Sequence, residues 1–129
     1  MTLTTHAIVG AAVASFFPPN PARGAVLAFA SHFAVDALPH RDYRILSDSV
    51  SPERGGPMRF DKNLALDVVR IGFDGMLGIA PSLLFFSSFA SPWLIVLGAF
   101  FGMLPDPLQV LYTKWKHEPL VALHRFHHW

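Results

Sequence analysis

Two long apolar stretches constrain this chain most: one from about Leu64 to Ala90, the other from Pro92 to Tyr112, with only Ser91 between them. At about 1.5 Å per residue, either helix would be long enough to cross the roughly 30 Å hydrocarbon core of a bilayer. Two shorter apolar segments precede them. One runs from about Thr5 to Phe17 and is stopped by Pro18 and Pro19; the other runs from about Ala22 to Leu38 and ends at Pro39. These reach only about 20–25 Å, so a shallow hairpin or a tilt into a thinned bilayer is expected for them. An apolar content of 52% against 15% charged residues in 129 residues is too apolar for an ordinary soluble domain of this size. The expected fold is all-α, a multi-spanning membrane helical bundle of about four apolar segments, the first two short. It forms a single domain over residues 1–129, with a polar loop at about 41–63 and a His-rich tail at about 113–129.

Charge placement orients the bundle. Arg41, Arg44, Arg54, Arg59, Lys62 and Arg70 fall in or beside the polar loop, and Lys114, Lys116 and Arg125 follow the fourth segment. The first connection carries only Arg23 and the third carries no basic residue. By the positive-inside rule, both termini and the loop are expected on the cytoplasmic side. Trp93 at one end of the fourth segment, and Tyr112 with Trp115 at the other, suit interfacial anchors. The N-terminus lacks the basic start of a cleavable signal peptide, so the first segment is expected to stay in the mature fold.

Several chemistries are excluded at the outset. The chain has no cysteine, which rules out disulfides, thiolate zinc sites and cysteine nucleophiles. A formal net charge of +1 gives no reason to expect a nucleic-acid partner. There is no Gly-rich phosphate loop followed by Lys, no G-x-S-x-G and no H-E-x-x-H. Gly72, Gly75, Gly78, Gly98 and Gly102 recur at three- and four-residue spacings, as close helix packing requires.

Polar metal-ligand types are set inside the apolar sequence. His32 and Asp36 are four apart and share one helix face, a geometry that offers a divalent metal one nitrogen and one oxygen ligand. The structural alternative is a helix end where Asp36 accepts a hydrogen bond, His32 is simply buried and Pro39 stops the helix. His6 begins the first segment, His40 follows Pro39, Asp67 and Asp74 lie seven apart early in the third segment, and Asp106 sits between Pro105 and Pro107 late in the fourth. With the expected topology, all of these fall in the cytoplasmic half of the membrane. Ionisable groups there cost several kcal/mol unless paired or ligated, which marks them as site candidates. Asp67 also suits pairing with Arg70 or Arg59, and Asp106 suits capping a break in the last helix.

Thr5-His6-Ala7-Ile8-Val9-Gly10, the run from His32 to His40, and Leu104-Pro105-Asp106 resemble the small bacterial inner-membrane metal-dependent hydrolases of the YdjM-like group. The likeness covers most of the chain and rests on short motifs. It implies a multi-spanning inner-membrane protein with a His/Asp metal centre built from His6, His32, Asp36 and Asp106. The chain departs from that pattern by lacking a His-Arg-x-x-Thr-His segment between the third and fourth helices. It carries Leu123-His124-Arg125-Phe126-His127-His128 near its end instead. The His32-x3-Asp36 element is also similar to part of the site in zinc-dependent phospholipase C and the P1-type nucleases, which points to phosphoester chemistry.

The expected function is a membrane-embedded metal-dependent hydrolase acting at the cytoplasmic face on a phosphoester or lipid-linked substrate. His6, His32 and Asp36 would hold Zn²⁺, or alternatively Mn²⁺ or Fe²⁺, and leave a position for water. Asp74 or Asp106 would serve as general base or hold a further ion. His40 and Asp42 would orient a ligand histidine. His124, His127 and His128 are candidate extra ligands, and Arg41, Arg44 and Arg125 could hold a phosphate at the interface. The competing expectation is a non-enzymatic membrane protein whose His/Asp cluster binds or transports a metal ion, or only fastens the helices.

Overall fold

A computed structural model describes residues 2–40, 43–47 and 59–127. Its regular structure is entirely helical among the described residues: α1 (Leu3–Ser15), α2 (Pro21–Asp36), α3 (Lys62–Phe86), α4 (Pro92–Met103), α5 (Pro105–Lys114) and α6 (Leu120–His127). Local sequence accounts for most of the ends. The Asn20 side chain accepts the Arg23 N–H at 3.0 Å and Pro21 occupies the first turn of α2. Asp61 caps α3 in the same way, accepting the Leu64 N–H at 2.8 Å. The fourth apolar segment is broken at Leu104, because Pro105 and Pro107 have no N–H to continue the ladder. The terminal stretch expected as a tail is helical through His127, where Leu123 and Phe126 face an apolar cleft shared with Phe29 and Phe33 of α2.

Helix α1 lies in the middle, packed against α2, α3 and α4, while α4 also contacts α2 and α3. Small residues make this crowding feasible. Ala7, Ala11 and Ala14 of α1 form the core with Leu94, Ile95 and Ala99 of α4. A methyl group added at Gly102 would collide with the His6 carbonyl oxygen and come within 3.0 Å of the Gly10 Cα, so α1 and α4 cross almost backbone to backbone.

Two helices are long and apolar enough to cross a membrane: α3, and the stretch Pro92–Tyr112 that joins α4 to α5. That is two where the sequence suggested about four, since α1 and α2 have only 13 and 16 residues. Little of either long helix is covered, with 17% and 33% of their most apolar windows buried. Val68, Val69, Phe73, Met76, Leu77 and Leu84 instead form an exposed apolar face on α3, with Trp93, Val96 and Phe100 exposed on α4. A helix serving as the core of a soluble domain would bury such residues.

Candidate metal centre

The end of α2 meets the start of α1 at a buried polar group. Both His6 and His32 are 1% exposed, and their rings stack with centroids 3.9 Å apart. The Asp36 carboxylate stands before both rings, with Oδ1 3.2 Å from His6 Nε2 and Oδ2 3.1 Å from His32 Nε2. The ligand atoms of these three residues all lie within 4.8 Å of one another. Two other elements reach the group. His40 Nε2 is 3.6 Å from Asp36 Oδ1, and Asp106 Oδ1 is 3.6 Å from His32 Nε2. Of the ligands expected from the sequence, His6, His32, Asp36 and Asp106 are thus brought together, with His40 at the rim.

Hydrogen bonds to the backbone fix which ring nitrogens face the centre. His32 Nδ1 is 2.9 Å from the Gly102 carbonyl oxygen, which can only accept, so Nδ1 carries a proton and, in the neutral ring, Nε2 would present its lone pair toward the carboxylates. His40 repeats the arrangement with Nδ1 2.7 Å from the Leu38 carbonyl. Tying the remote ring N–H to a carbonyl is the usual way of orienting a metal-ligating histidine. Neither ring nitrogen of buried His6 makes a hydrogen bond among the described residues. A polar group buried in that state is costly unless another interaction satisfies it. A nitrogen and an oxygen bound to the same divalent ion by bonds of about 2.1 Å at angles of 90–120° lie about 3.0–3.6 Å apart, and the His–Asp pairs here are separated by 3.1–3.6 Å. Side-chain exposure within the group rises from 0% at both buried histidines through 12% at Asp36 and 18% at His40 to 32% at Asp106.

Other expected site residues take different parts. Asp74 is engaged by Thr4 and Tyr43. Its carboxylate accepts the Thr4 N–H at 2.8 Å, the Thr4 hydroxyl at 2.8 Å and the Tyr43 hydroxyl, which braces α1 against α3. Asp67 is 2% exposed and accepts the backbone N–H groups of Leu46 and Ser47 at 2.9 and 2.8 Å. It thereby ties the first part of the polar loop to α3. His124 joins α6 to α5, with Nδ1 accepting from the Gln109 amide at 2.9 Å and its ring stacked on Tyr112. Asp42, Arg41, His128 and the side chain of His127 lie outside the described residues. Arg44 and Arg125 are exposed.

Sequence reasoning overlooked Tyr43 and Thr4. Tyr43 lies in an irregular stretch with no periodic pattern to assign its side chain to a helix, yet its hydroxyl both accepts the Leu3 N–H at 2.7 Å and donates to Asp74. Burial first, and then donation to Asp74, push the Tyr43 phenol above the usual tyrosine range. The chain matches no protein-family model, no curated protein and no solved structure. Fold and site therefore define its class: a protein whose described residues form only helices as regular structure, two of them long and apolar enough to span a membrane, with a His/Asp group able to hold a metal ion.

Proposed function

We propose that the protein is a membrane-embedded metal-dependent hydrolase, with its metal centre built on His6, His32 and Asp36 and its substrate a phosphoester carried on a lipid. The observation that carries this reading is the convergence of two buried imidazoles and a carboxylate from α1 and α2, with the His32 ring oriented by the Gly102 carbonyl. A divalent ion held there would supply Lewis acidity and would lower the pKa of water toward about 7. Asp106, the most exposed carboxylate of the group, would serve as proton acceptor. The apolar cleft of about 560 Å³ lined by Phe29, Phe33, Leu123 and Phe126 supports an amphiphilic substrate, because Phe29 and Phe33 each precede a ligand of α2 by three residues.

In this reading α3 and Pro92–Tyr112 cross the bacterial inner membrane as a hairpin. The basic residues before α3 and after Tyr112 support a cytoplasmic location for both outer ends, and for the metal centre with them.

The test is elemental analysis of the detergent-purified protein beside a His32→Ala/Asp36→Ala variant, followed by assays on phospholipids and generic phosphoesters. The expected result is at least about one zinc, manganese or iron ion per chain, lost in the variant together with hydrolysis. Metal without hydrolysis would turn the reading to ion binding or transport. No metal after reloading would leave a polar network that fastens helices.

A further inference from the structure

We infer that the centre holds two metal ions bridged by the two oxygens of Asp36; this rests on the metal-centre reading above and extends it. Asp36 divides the neighbouring donors into two sets. Oδ2 faces His32 Nε2 at 3.1 Å, and that nitrogen in turn faces Asp106 Oδ1 at 3.6 Å. Oδ1 faces His6 Nε2 at 3.2 Å and His40 Nε2 at 3.6 Å. Each oxygen thus has its own imidazole from the buried pair and its own partner from the rim. One ion falls among His32, Asp106 and Oδ2, the other among His6, His40 and Oδ1.

The ring stacking argues for two ions over one. An imidazole lone pair lies in the ring plane, so an ion it binds lies in or close to that plane. The His6 and His32 rings are stacked with planes only 23° apart and centroids 3.9 Å apart, so their planes do not meet within bonding reach of either Nε2. A single shared ion would sit well out of plane for at least one ring. Two ions, one at the edge of each ring, would be separated by about the ring spacing, and paired hydrolytic metal sites show separations of about 3.5–4 Å. A carboxylate using both oxygens spans such a pair. Asp36 can do so because it ends α2, one turn beyond His32 and facing His6 across the helix contact. Carbonyl bonds hold both His32 and His40, one from each set, with Nε2 toward Asp36. His40 is therefore assigned as a ligand and not merely as a partner that orients one.

The purified full chain, stripped and titrated with Mn²⁺, is the test, with metal counting and EPR as readouts. Two ions per chain and the exchange-coupled multiline signal of a Mn²⁺ pair are expected. His40→Ala and Asp106→Asn, both at the exposed rim, should each lower the count from two to one and replace the coupled signal by the simple sextet of isolated Mn²⁺. Asp36→Ala should remove both ions. One ion per chain without coupling, or a coupled pair that survives both rim substitutions, overturns this inference and leaves the metal-centre reading standing. No Mn²⁺ bound at any concentration that leaves the protein folded overturns both.

Discussion

At the residue scale, the polar side chains of this protein divide into those that face one another across the centre and those that fasten backbone. Tyr43 belongs to the second kind. Replacing it by Phe strands the Leu3 N–H and removes one donor from Asp74, at a cost of about 1–3 kcal/mol in part-buried surroundings. Because the phenol is pushed upward in the folded protein, its contribution is fully present below the ordinary tyrosine value of about 10 and is lost as pH rises through the higher folded value. Thermal unfolding in detergent should therefore show the wild type losing stability above about pH 10 with a slope that Tyr43→Phe lacks. Equal slopes for the two proteins would mean that Tyr43 ionises in the folded state as it does in the unfolded one.

At the element scale, the crossing of α1 and α4 sets the centre's geometry. Gly102 does two things there: lacking a side chain, it lets α4 approach His6 and Gly10, and its carbonyl orients His32. Gly102→Val should destabilise by at least about 1–3 kcal/mol through overpacking and should weaken metal binding, since the carbonyl moves as the helices part. Gly72→Ala is the control. Nothing lies within 4 Å of the added methyl group on α3, so the substitution should stabilise by about 0.4–1 kcal/mol and leave metal content unchanged. The two are read by unfolding midpoint and metal stoichiometry. A harmless Gly102→Val would show that the helices do not cross as closely as described.

At the scale of the whole molecule, the proposed membrane hairpin would set the exposed apolar faces of α3 and α4 against lipid. Leu77 is 50% exposed on α3. In water, Leu77→Lys would be neutral or would improve solubility. In a spanning helix it should cost about 2.5–3.5 kcal/mol near the bilayer centre, lowering the membrane-inserted fraction in an insertion-reporter assay. Reporters placed in the 41–63 loop and after Tyr112 should report the same side, because a two-helix hairpin returns the chain to the face it left. Opposite sides would rule out the hairpin.

How much of this could be read from the chain alone follows from the range of each interaction. Apolar runs and prolines are local, so the positions of the first four helices, the stop before Pro39 and the break near Pro105 were legible, as was the His32/Asp36 face, which needs only the helical period, whereas α6 was not. The spanning count was legible only in part: the first two segments read as apolar and short, and it took the packing of α1 against α2, α3 and α4 to show what its apolar residues cover. His6 and Asp106 were candidates by depth, but only the packing of α1 between α2 and α4 brings them to Asp36. Asp74 looked just as promising in sequence and was taken up by Thr4 and Tyr43, which lie 70 and 31 residues away along the chain. The sequence by itself determined which donor types the protein owns and which faces of its helices they occupy, since covalent order and helical period set both. Tertiary structure decided which carboxylate meets the imidazoles, because that choice depends on how closely glycine and alanine let the helices approach.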